Sequence, residues 1–80
     1  MKLPRDIDAK NLIKALSKLG YQETRQVGSH IRLSIKVNDN QFHITIPNHS
    51  SIKIGTLNNI LKEISLQLSF TKDELIKKLF

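Results

Sequence analysis

The segment Gly28-Ser29-His30 runs into Ile31, Arg32, Leu33, Ser34, Ile35, Lys36 and Val37, which puts one histidine at the head of an alternating strand. Period two sends Ile31, Leu33, Ile35 and Val37 to one side and His30, Arg32, Ser34 and Lys36 to the other. One face is core, and the other meets solvent or a partner. Free imidazole titrates near about 6.5, so a histidine on an open face can take up or release a proton at cellular pH. General catalysis of that kind is typically worth about 10²- to 10⁴-fold. Arg32 carries a planar fork suited to two phosphate oxygens; Lys36 and Arg25 are further candidate phosphate contacts. A histidine with cations on one face suits an anionic ligand, and nucleic acid is the first partner to consider. Gly28 and Ser29 either let the backbone approach a phosphate, with the Ser29 hydroxyl or an amide as donor, or simply form a turn.

Five elements must position that strand. Leu12, Ile13, Leu16 and Leu19 fall at helical spacing behind Asp8 as N-cap, with Gly20 as the residue that ends the helix. Tyr21 to Gln26 reads as a polar edge strand. Phe42, Ile44 and Ile46 alternate with His43 and Thr45 in a third strand that Pro47 stops. A two-residue turn at Asp39-Asn40 would set Lys36 opposite His43, Ser34 opposite Thr45 and Ile35 opposite Ile44, and its extension would bring His49 near His30. After a loop over 47–56, Leu57, Ile60, Leu61, Ile64 and Leu68 predict a second helix behind Thr56 as N-cap. Thr71-Lys72-Asp73-Glu74 is a capping box that opens a short last helix. A three-stranded antiparallel meander with helices on its apolar face is a two-layer α+β fold.

The 80 residues suit one domain over 1–80 with a small core. Thirteen Lys and Arg against seven Asp and Glu give a formal charge of +6, which favours RNA, DNA or another acidic partner. The basic residues are scattered and form no cationic tail. Lys10, Lys14 and Lys18 make a stripe along the first helix that either lies along an RNA backbone or is a solvated face. Cysteine is absent, which excludes disulfides, thiolate catalysis and cysteine-based zinc sites. The three histidines, spaced by 13 and 6 residues without an acidic cluster, match no common metal pattern, so neither metal nor other cofactor is expected. No segment approaches the roughly 20 apolar residues of a membrane span, and the first residues lack the apolar run of a signal peptide, so a cytoplasmic protein is expected.

Several segments, in order, resemble one known family. They are Lys2-Leu3-Pro4-Arg5-Asp6, Leu12 to Gly20, Arg25-Gln26-Val27-Gly28-Ser29-His30, Ile46-Pro47-Asn48-His49, and Gly55-Thr56-Leu57-Asn58-Asn59-Ile60-Leu61-Lys62. Together they resemble the HicA toxins, also called the YcfA-like family, the ribonuclease half of HicA-HicB toxin-antitoxin modules. The resemblance implies a double-stranded-RNA-binding-like fold, cleavage of messenger RNA by the free toxin, and inhibition by a HicB-type antitoxin. It also implies that His30, in the Gly-Ser-His motif, is the catalytic histidine. His49 matches a histidine that often follows the proline in this family, where it either binds phosphate or shapes the loop. The segment Glu63 to Ser69 departs from the family pattern: it contains no glycine and is about four residues longer, about one helical turn. His43 matches no motif and reads as a surface residue.

RNA cleavage without metal needs a base for the 2′-hydroxyl proton, a donor for the leaving oxygen, and cations around the phosphate. His30 is the candidate base or acid, with Gly28, Ser29, Arg25, Arg32, Lys36 and His49 as candidate RNA contacts. A non-catalytic RNA-binding module is the alternative that the same basic fold would serve. An adaptor binding an acidic protein is a third reading, distinguished by the absence of RNA affinity with a steep salt slope.

Overall fold

Three alternating segments pair into one antiparallel sheet in the order β1-β2-β3: β1 is Gln22–Val27, β2 is His30–Val37 and β3 is Asn40–Pro47. Helices α1 (Ala9–Ser17), α2 (Ile54–Leu68) and α3 (Lys72–Leu79) complete the order α-β-β-β-α-α. This computed structural model describes residues 6–80, so Lys2 to Arg5 of the first family-like segment lie outside the described residues. The arrangement is the α+β, double-stranded-RNA-binding-like one that the sequence leads one to expect.

The apolar stripes do what their spacing requires. Leu12 and Leu16 of α1, Ile31, Leu33 and Ile35 of β2, Ile44 and Ile46 of β3, Leu57, Ile60, Leu61 and Ile64 of α2, and Leu75, Ile76 and Leu79 of α3 share one core. α1 and α2 pack on β3, and α3 packs on α2. Burial of these side chains is the main stabilising term, at about 25 cal/mol per Å² of apolar surface.

Asp8 caps α1 through its side chain, which accepts from the Asn11 N–H at 2.8 Å. The helix ends at Ser17, and the chain turns over Lys18 to Gly20, whose φ of +110° favours glycine. α2 starts earlier than expected. Its N-cap is Lys53 and not Thr56, because Ile52 is buried and its N–H donates to the Ile7 carbonyl at 2.8 Å, fixing the chain just ahead of Ile54. Lys53 makes no side-chain cap, and Thr56 lies within the helix's first turn. Glu63 to Leu68 continues α2 without a break. Ser69, with φ +59°, takes the left-handed position that ends the helix, and the Phe70 N–H donates to the Ser65 carbonyl at 3.1 Å. α3 opens on the expected capping box, with the Glu74 N–H donating to the Thr71 hydroxyl and the Thr71 N–H to the Glu74 carboxylate.

The β2-β3 register corrects the expectation. The turn is Asn38-Asp39, one residue earlier than Asp39-Asn40, so Val37 pairs with Asn40, Ser34 with His43, Arg32 with Thr45 and His30 with Pro47. Asn38 takes φ +51°, a conformation asparagine tolerates better than most residues. The shift moves each partner by two residues, so the faces keep their parity while every cross-strand neighbour changes.

Candidate active site

The helices cover one face of the sheet and leave the other open. On that open face β2 presents His30, Arg32 and Lys36, all exposed, together with Ser34. β3 contributes His43 and Thr45 as the cross-strand neighbours of Ser34 and Arg32.

β1 adds its part through a bulge. Glu23 pairs with Leu33, but Arg25 pairs with Arg32, so Thr24 is an extra residue on its strand. Without that insertion Arg25 would fall opposite Ile31 and point toward the helical layer. With it, Arg25 stands beside Arg32 and Val27 beside His30. The bulge therefore re-aims a cation onto the face that carries the histidine.

A shallow cavity of about 170 Å³ is lined by Arg25, Val27, His30, Arg32 and Thr45. No carboxylate lines it. Two arginines directly opposite each other on neighbouring strands repel, and an anion between them relieves that repulsion. Such a pair with an exposed imidazole can hold a phosphate and exchange a proton at its edge.

The remaining candidates lie elsewhere. Gly28, at φ +59°, and Ser29 form the tight β1-β2 turn next to His30, and the Ser29 carbonyl accepts from the Asn48 N–H at 2.7 Å. Gly28 has open space where a Cβ would stand, so its left-handed backbone and not crowding is what favours glycine there. Lys36 is at the far end of β2, about 13 Å from Arg32 at about 3.3 Å per residue. It borders a separate depression of about 300 Å³ with Gly20, Gln22, Thr24, Ser34, Ile35 and Gln41. Lys36 and His30 therefore do not share one phosphate. His49 is exposed, does not pair with His30, and ties the loop to α1, its carbonyl accepting from the Ala9 N–H at 3.0 Å. Lys10 and Lys14 on α1 and Lys18 just past its end are exposed, in the helical layer behind the sheet from His30.

Sequence reasoning overlooked Val27, Thr45, Thr24 and the Ser34-His43 pair. Alternation had already put His43 and Thr45 on the open face; the register and the bulge, which decide their neighbours, left no local signal. Among the described residues no three His, Cys, Asp or Glu side chains converge as metal ligands, and no helix is long and apolar enough to cross a membrane.

Comparison with known proteins bears on what such a face serves. Searches of curated proteins and of solved structures returned no match. A scan against protein families matches residues 9–66 to the family described as HicA toxin of bacterial toxin-antitoxin. The matched region spans α1, the whole sheet with His30, and most of α2, so the chain belongs to the HicA toxin family of toxin-antitoxin systems.

Proposed function

We propose that this chain is a metal-independent endoribonuclease, a messenger RNA interferase that acts in the cytoplasm and is neutralised by a HicB-type antitoxin. The observation that carries the reading is the cavity in which His30 stands with two facing arginines and no carboxylate, in a member of a toxin family.

His30 works at one edge of the bound phosphate. As base it takes the proton of the ribose 2′-hydroxyl, whose oxygen attacks the adjacent phosphorus and displaces the 5′-oxygen; as acid it protonates that leaving oxygen. Arg25 and Arg32 hold the phosphoryl oxygens and offset the charge that grows in the crowded transition state. With a single imidazole at the site, the expected rate is modest. The Gly28-Ser29 turn sets His30 at the rim, and the Ser29 hydroxyl is the candidate additional donor. The RNA contacts assigned to Lys36 and His49 lie beyond the cleaved phosphate.

The antitoxin must hide His30 and match a face that carries arginines, so its contacting surface is acidic. The test is cleavage of a long unstructured RNA by purified protein in excess EDTA, beside folded His30→Ala. Loss of about 10²-fold or more in the variant supports the reading. Equal cutting by both proteins, or RNA binding without cutting by the wild type, rejects it, the latter in favour of a binding module.

A further inference from the structure

The open face holds a second imidazole in a fixed orientation. His43 Nδ1 lies 2.6 Å from Ser34 Oγ, Ser34 Oγ lies 3.3 Å from Thr24 Oγ1, and Thr24 Oγ1 donates to the Arg32 carbonyl at 3.3 Å. The backbone behind the ring is tied down as well, because Gln67 Nε2 donates to the His43 carbonyl at 2.9 Å. Ser34 is buried, whereas the His43 side chain is exposed.

Counting protons assigns the tautomer. Each hydroxyl has one proton to give. If Thr24 gives its proton to the Arg32 carbonyl, its oxygen can only accept from Ser34. Ser34 then has no proton left for His43, so the imidazole must donate from Nδ1. The alternative, in which Ser34 donates to Nδ1, leaves either the Thr24-Ser34 or the Thr24-Arg32 contact without a proton. Of the two neutral tautomers, only the Nδ1–H form satisfies all three contacts. Nε2, across the ring, then carries a bare lone pair and has no hydrogen-bond partner among the described residues.

A neutral acceptor among cations is an unusual thing to present to a polyanion, whose phosphates can only accept. The backbone group of RNA that can donate to it is the ribose 2′-hydroxyl, which is also the group that tells RNA from DNA. His43 stands opposite Ser34, four residues and about 13 Å along β2 from His30. That is too far to act on the phosphate His30 cleaves and suits a neighbouring nucleotide.

We propose that His43, held as its Nδ1–H tautomer by Ser34 and Thr24, is an RNA-binding residue whose Nε2 accepts a hydrogen bond from a substrate 2′-hydroxyl. The subsite rests on the nuclease reading but not on the chemistry of His30, so it is measured in the His30→Ala protein, which leaves RNA uncut. At about pH 8.5, where free imidazole is neutral, ring ¹⁵N spectra should show His43 protonated at Nδ1. Ser34→Ala should release it to the Nε2–H form that imidazole prefers in water. A single-stranded ribose oligonucleotide should bind about three- to tenfold more tightly than its deoxy counterpart with uracil bases, the worth of one neutral hydrogen bond. His43→Phe and Ser34→Ala should both erase that preference. An Nε2–H ring in the unsubstituted background, or a ribose preference that survives His43→Phe, overturns the proposal. Equal binding of the two oligonucleotides by the His30→Ala protein overturns it too and leaves the nuclease reading standing. Binding of neither strand overturns both.

Discussion

Replacing Tyr21 by phenylalanine should reverse the order of stability of the two proteins in alkali. Tyr21 is 2% exposed, and its hydroxyl donates to Gln67 Oε1 at 2.7 Å, the same amide that holds the His43 carbonyl. Burial, and secondarily the charge of Glu63, pushes its phenol from the ordinary 10.0 up to about 12. Between these values the unfolded chain has released the phenolic proton while the folded one still holds it. Stability is therefore complete below about pH 10 and falls as pH rises toward about 12. Two units correspond to about 3 kcal/mol, which solvent around the partly exposed Gln67 reduces to about 2 kcal/mol.

At neutral pH the variant loses one hydrogen bond, about 1 kcal/mol. The wild type then leads by about 1 kcal/mol at neutrality and trails by about as much near pH 12, with the curves crossing near pH 11. Denaturant titrations of both proteins at successive pH values measure the difference, in which lysine titration, common to both, cancels. Because Tyr21 is the only tyrosine and tryptophan is absent, an ultraviolet absorbance titration reads this phenol alone. A midpoint near 10, or a stability difference that does not change with pH, would refute the reasoning.

Arg25→Gln removes one of two facing arginines; it should raise stability by a few tenths of a kcal/mol while weakening RNA binding and lowering the salt slope by about 0.7, read by denaturation and by affinity against salt. Ser69→Gly relieves a left-handed serine at the end of α2 and should stabilise by about 0.5 kcal/mol in thermal unfolding, whereas Ser69→Val should destabilise. Thr71→Ala should cost about 1 kcal/mol by opening the capping box of α3. The Thr71 N–H, then its hydroxyl, and to a lesser extent Lys78 and Lys77 hold the Glu74 carboxyl below its ordinary range. That contribution is present above the unfolded carboxyl value and is lost as pH falls through the lowered folded value. An NMR titration of Glu74 should show the depression in the wild type and only the hydroxyl's share of it lost in Thr71→Ala, which keeps the residue-71 N–H.

The sequence by itself determined the elements and which face of each is buried. Leu12 and Leu16 at helical spacing, Ile31, Leu33 and Ile35 at period two, and the Thr71-Glu74 capping box act over a few residues, within the reach of side-chain periodicity and local hydrogen bonds. The outward position of His30, Arg32 and Lys36 followed from the same alternation. What stands beside them did not. Moving the hairpin turn by one residue to Asn38 exchanged Thr45 for His43 opposite Ser34, and the bulge at Thr24 brought Arg25 to Arg32. Either change leaves the pattern of apolar and polar residues nearly intact, because a shift of two keeps parity and a bulge on an exposed edge strand buries nothing new. Tertiary structure alone decided that Lys36 and His49 stand apart from His30, and that the lysine stripe of α1 lies behind the sheet. Cross-strand neighbours and the layer a helix occupies depend on contacts between segments distant in sequence, and those contacts exist only once the core has closed.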